Sequence, residues 1–201
     1  AVPLYAETLR EQLARKDIGW VSLHEGSLRG FAVPRARYDL IFSRWAFSDM
    51  KAVEPALRRL VSGLKPGGAL AIEDYHHLGC AYHPIRPSFD EVIEASRAWY
   101  RKTGGNPRIA GELPAIYHRL GLVDIEVTPH LRVGGPSSEL WRWSELVFQA
   151  QLPAMISARV LTSAQAARFL KELGQLKKVP GALFVVPAIF DVVGYKPAKR
   201  A

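Results

Sequence analysis

Asp74, Tyr75, His76 and His77 follow one another in this sequence, with Cys80, Tyr82 and His83 close behind. An imidazole titrates near neutral pH and suits a general base, while a neighbouring tyrosine or aspartate suits an orienting group. His76 and Tyr75 are therefore the catalytic candidates; the plainer alternative is that one or two of these side chains satisfy loop backbone groups. Metal-ligating types recur at His76, His77, Cys80 and His83. Adjacent histidines do not readily converge on one ion, and no CxxC or HxxxH spacing is present, so no metal is expected. Aromatic and polar side chains that suit a substrate pocket are His77, Tyr82, Trp99, Tyr100, Trp141 and Trp143. Helical aromatics more often belong to a core, which is the competing reading for the tryptophans.

The elements that must position this cluster are legible around it. Asp74 to His77 end an apolar run, Ala69 to Ile72. An earlier run, Leu40 to Phe42, ends at Ser43, Arg44 and Trp45. Between the runs, Leu57, Leu60, Val61 and Leu64 share one helical face, and Pro66-Gly67-Gly68 turns the chain. Helical spacing between two continuous apolar runs predicts a strand–helix–strand unit of a buried parallel sheet. Ligands of such sheets bind beyond the carboxyl ends of the strands, which places Ser43–Trp45 and Asp74–His77 at the expected site.

The rest of the chain predicts a first helix up to Asp17, a short strand at Trp20 to Gly26, and a helix capped by Ser88 and stopped at Gly104-Gly105. A helix from Glu112 to Leu120 follows, then an alternating strand at Val123 to Val127. Two helices, from about Glu139 and from a cap at Ser163, precede a last strand interrupted at Pro187.

At 201 residues the chain is long enough for one domain with a substantial core. No apolar run approaches the ~18 residues that span a bilayer, and no signal peptide opens the sequence, so membrane partners are not expected. A lone cysteine fits a reducing, cytoplasmic setting. The net charge of +8 comes mostly from arginines scattered over helix faces without interleaved aromatics, which disfavours nucleic acid.

The order of elements, with YDLIFSRW, LKPGGALAIEDY and the pair GLVDIEVTPH … FVVPAIFDVVGYKP, resembles the class I S-adenosylmethionine-dependent methyltransferases from their second helix onward. The likeness is to bacterial small-molecule enzymes of that family. It implies an α/β fold: a Rossmann-like methyltransferase sheet of parallel strands with an antiparallel last strand. The N-terminal strands would be missing, and a helical insertion at 136–180 would precede the last strand and act as a lid over the crevice. Residues 1–201 would then form a partial methyltransferase-like domain. The family's Gly-rich loop after its first strand and the acid ending its second are not found, so upstream residues are expected to be absent from the sequence.

The same resemblance implies S-adenosylmethionine as cofactor, with Ser27 and Leu28 bordering the adenine and Ser43, Arg44 and Trp45 meeting the methionine end. Ser27 stands where the family usually has an acid. The expected activity is methyl transfer by in-line displacement to a small apolar or aromatic metabolite, a homodimer being compatible with it. Two alternatives stay open: a methyltransferase-like binding or scaffold module without turnover, and a redox enzyme on the same topology.

Overall fold

A computed structural model describes residues 3–28, 30–77 and 79–198. Helix α1 (Pro3–Arg15) comes first. Strand β1 (Tyr38–Arg44) leads through helix α2 (Val53–Gly63) into β2 (Leu64–His76), and β1 and β2 pair in parallel with Leu40 opposite Ala69 and Arg44 opposite Glu73. The predicted strand–helix–strand unit is thus formed. Strand β2 is longer than its apolar run and includes the Pro-Gly-Gly segment, where Gly67 takes a left-handed φ of 79°.

Strand β3 (Ala81–His83), helix α3 (Pro87–Thr103) and helix α4 (Ile109–Arg119) follow, then β4 (Val123–His130) and the short β5 (Val133–Gly134). Helices α5 (Glu139–Ser157) and α6 (Ser163–Leu176) precede β6 (Leu183–Val185) and β7 (Ala188–Tyr195). The main sheet has the order β1-β2-β7-β4, with β7 antiparallel to both neighbours. The antiparallel ending and the helical insertion agree with expectation.

Alternation along the strands sends Leu70, Ile72 and Val192 to one face, where they meet Leu57 and Leu60 of α2 and Leu113, Ile116 and Tyr117 of α4. Gly194 makes the Tyr117 contact feasible, because a Cβ there would lie 2.6 Å from the tyrosine ring. The opposite face leaves Leu40 and Phe42 about 60% exposed, at 59% and 61%.

A second core lies beyond the carboxyl end of β2. Phe89 and Val92 of α3, Trp141 and Phe148 of α5, and Phe169 and Leu173 of α6 close on Tyr82 and Phe184 of a small antiparallel sheet, β3-β6-β5. Strands of two or three residues are too short to show a period, which is why this sheet escapes a sequence reading.

Three local expectations are corrected. No strand forms at Trp20–Gly26, where Trp20 is 85% exposed: the segment has no ladder partner, and an extended chain without one leaves its backbone groups to water. Ser88 does not cap α3. The N-cap is Arg86, and Ser88 Oγ instead donates to Glu172 of α6 at 2.5 Å. The last helix is capped by Thr162, one residue before Ser163, in a reciprocal capping box with Gln165.

Candidate functional site

The ends of β1 and β2 are held together by Asp74. Its carboxylate is wholly buried; one oxygen accepts the Phe47 amide N–H and the other the Tyr75 amide N–H, both at 2.8 Å. The loop after β1 is thereby fastened to the loop after β2. Trp45 turns that first loop with a left-handed φ of 53°, unusual for a bulky residue, while its N–H continues the ladder to the Glu73 carbonyl at 2.9 Å. Strain of this kind concentrates at functional positions.

The turn lays the Trp45 ring on Tyr75, with centroids 5.3 Å apart and planes 20° from parallel. Trp143 reaches the same spot from α5, its ring 6.3 Å from that of Trp45. Arg44 pairs with Glu73 at 2.7 Å, and its guanidinium lies 4.2 Å from the Trp45 ring centre. Trp45 Nε1 is buried and has no hydrogen-bond partner among the described residues.

These rings separate two spaces. On one side is an open cleft of about 680 Å³, mouth included, with Arg44, Trp45, Arg132, Glu139 and Trp143 on its walls. On the other is a more enclosed cavity of about 560 Å³, mouth included. Tyr75 and His77 line it from the end of β2, Ser96 and Tyr100 from α3, and Trp143, Phe148 and Gln151 from α5. Trp143 belongs to both walls.

The predicted site residues divide accordingly. Ser43, Arg44 and Trp45 lie at the end of β1, with Arg44 and Trp45 on the open cleft. Tyr75, His77, Tyr100 and Trp143 line the enclosed cavity. His76 does not: alternation turns its ring to the other face of the sheet, where it stacks on Phe190 at 4.9 Å beside Gly111. Tyr82 and Trp141 are also displaced from the expected pocket. Both are interior, with rings 5.0 Å apart, and the Tyr82 hydroxyl is hydrogen-bonded to Ser144 at 2.5 Å. Trp99 packs edge-on against Tyr100 and the helical core. Ser27 is exposed on a turn, and the Leu28 carbonyl accepts from Arg59 of α2 at 2.7 Å. Sequence reasoning missed Ser96 and Gln151. The spacing Ile93, Ser96, Tyr100 on α3 and Trp143, Val147, Gln151 on α5 marks both lining faces in retrospect.

The cavity carries no charge at neutral pH. Burial, helped by the Arg97 and His76 charges, lowers His77 to about 4. Burial pushes the Cys80 thiol up to about 12 against the pull of Arg97. Tyr75 is raised by burial and then by Tyr100 and Asp74, and Tyr100 by burial and then by Asp49 and Asp74. For His77 the unfolded chain binds the proton more readily than the folded one. Unfolding therefore takes up a proton between about 4 and 6.5, and stability falls as pH drops through that window. Denaturation midpoints measured across it should decline, and His77→Gln, which keeps Arg97, His76 and both tyrosines in place, should flatten the decline.

Residues 2–72 match a family model described as a methyltransferase domain. No curated protein matches the chain in sequence. Among solved structures, the YcgJ protein of Bacillus subtilis superposes with a TM-score of 0.57 at 16% identity, over 96% of this chain and 78% of that one. Phosphoethanolamine N-methyltransferase 2 of Haemonchus contortus, bound to phosphomonomethylethanolamine and S-adenosylhomocysteine, gives 0.52 at 14% identity over 93% of this chain. The same enzyme with S-adenosyl-L-methionine gives 0.51 at 17%. This chain spans 40% of the length of the Haemonchus protein. The fold is that of these methyltransferase structures, and the match to the methyltransferase-domain model is confined to residues 2–72.

Proposed function

We propose that this chain transfers a methyl group from S-adenosylmethionine to a small apolar or aromatic molecule. The observation that carries the reading is the aromatic partition of Trp45, Tyr75 and Trp143, which brings an open cleft and an enclosed cavity to the same three rings.

The donor fits the cleft side. Trp45 Nε1 offers a buried hydrogen with no acceptor among the described residues, and Arg44 and Arg132 bring cations that suit a carboxylate. Ser43, Arg44 and Trp45 would hold the methionine end; the part of Ser27 and Leu28 beside the adenine rests on the family resemblance. Bound there, S-adenosylmethionine supplies an electrophilic methyl group on a sulfonium. The chain's own contribution is alignment: Asp74 fixes the two loops, and Tyr75 and Trp143 present the acceptor to the partition. Helices α5 and α6 act as the lid that keeps water out of the cavity. His77, uncharged and facing the cavity, stands in the position expected of His76 as the catalytic base. Among the described residues no helix is long and apolar enough to cross a membrane, and the reading includes a cytoplasmic setting.

Incubating the whole protein with S-adenosylmethionine and a panel of neutral aromatic acceptors tests this. Mass spectrometry should find an acceptor heavier by one methylene, together with S-adenosylhomocysteine. Bound donor with no product from any acceptor would favour the binding module without turnover.

A further inference from the structure

The enclosed cavity is unusual in what its walls lack and in what they leave unpaired. Among the described residues no Asp, Glu, Lys or Arg lines it. Of the cations that act on its lining, Arg97 is already paired with Glu94 and Arg44 with Glu73. Three neutral polar side chains nevertheless face the space from three different elements. Ser96 is only 3% exposed and lines the cavity, yet its hydroxyl makes no hydrogen bond among the described residues. The Gln151 amide on α5 and the His77 ring at the end of β2 are likewise without side-chain hydrogen bonds there. The Ser96 hydroxyl opens on the cavity, where a ligand's oxygen can pair with it. The remaining walls are flat or apolar: Tyr75, Trp143, Phe148 and Phe184 among them.

We propose that this cavity selects an uncharged, flat, oxygen-bearing compound of the phenol or quinol class, and that Ser96, Gln151 and His77 recognise its oxygens. The proposal rests on the methyl-transfer reading only in calling that compound the acceptor. Aromatic walls take the ring by offset and edge contacts, and neutral donors and acceptors take hydroxyl or carbonyl oxygens without burying a charge. A phosphomonoester such as the one bound by the Haemonchus enzyme would find no cation here, and a carboxylate would be desolvated without a countercharge.

Calorimetric titration of the whole protein with 2-naphthol, naphthalene and naphthalene-2-carboxylate decides the matter. The carboxylate should bind at least about tenfold more weakly than 2-naphthol. Ser96→Ala and Gln151→Leu should each weaken 2-naphthol about five- to tenfold and leave naphthalene unchanged. If Ser96→Ala does not fold, Gln151→Leu decides alone. Equal binding of the carboxylate, or 2-naphthol affinity unmoved in the variants that fold, overturns the proposal. If the selectivity holds but no methylated product forms from any acceptor, only the methyl-transfer reading falls; if product forms without the selectivity, only this assignment falls.

Discussion

Replacing Asp74 with alanine should destabilise the protein by about 2–4 kcal/mol and loosen the site at the same time. The carboxylate is wholly buried and receives two amide N–H groups, from Phe47 across the sheet end and from Tyr75 beside it. Hydrogen bonds to an ionised group are the stronger kind, and alanine would leave both donors buried and unsatisfied. For a chain of this size the loss corresponds to a fall of roughly 5–15 °C in melting temperature. Asp74→Asn keeps one acceptor oxygen but brings an NH2 group toward a second N–H, so it should recover only part of the loss. Thermal unfolding of the two variants checks the order: wild type, then asparagine, then alanine.

The second large effect is expected at Trp45. Its ring stacks on Tyr75, carries the Arg44 guanidinium and forms the cleft side of the partition. Trp45→Ala removes this wall together with the unpaired Nε1 hydrogen, and should weaken S-adenosylhomocysteine binding by about 2 kcal/mol, roughly 30-fold. Trp45→Phe keeps a ring over Tyr75 and deletes only the N–H, so its loss should be the smaller of the two. Calorimetry with the whole protein measures both. Unchanged affinity in Trp45→Ala would place the donor elsewhere.

Much of this arrangement was readable from the residues because the signals are local. Leu40–Phe42 and Ala69–Ile72 are continuous apolar runs, and the helical face between them admits few topologies, so β1, α2 and β2 and the convergence of Trp45 with Tyr75 follow directly. What the sequence hides depends on partners and parity. His76 and His77 are equivalent as residue types, and only the pleat of β2 decides that His77 meets the cavity while His76 stacks on Phe190. Tyr82 and Trp141 look like pocket aromatics until the short β3-β6-β5 sheet gives them a core of their own. Ser96 and Gln151 are ordinary helix residues until α3 and α5 face each other across an enclosed space. The Trp20–Gly26 run shows the converse: extended propensity yields no strand where the ladder has no partner.

A crystal structure of the whole protein with S-adenosylhomocysteine bound is the most direct test of the aromatic partition as the place of transfer. The thioether sulfur should lie at the partition, within about 4 Å of the Trp45 or Tyr75 ring, with the amino-acid end toward Arg44 and Arg132. A sulfur lying away from these rings, with the cleft and the enclosed cavity on opposite sides of an unbroken wall, would contradict it.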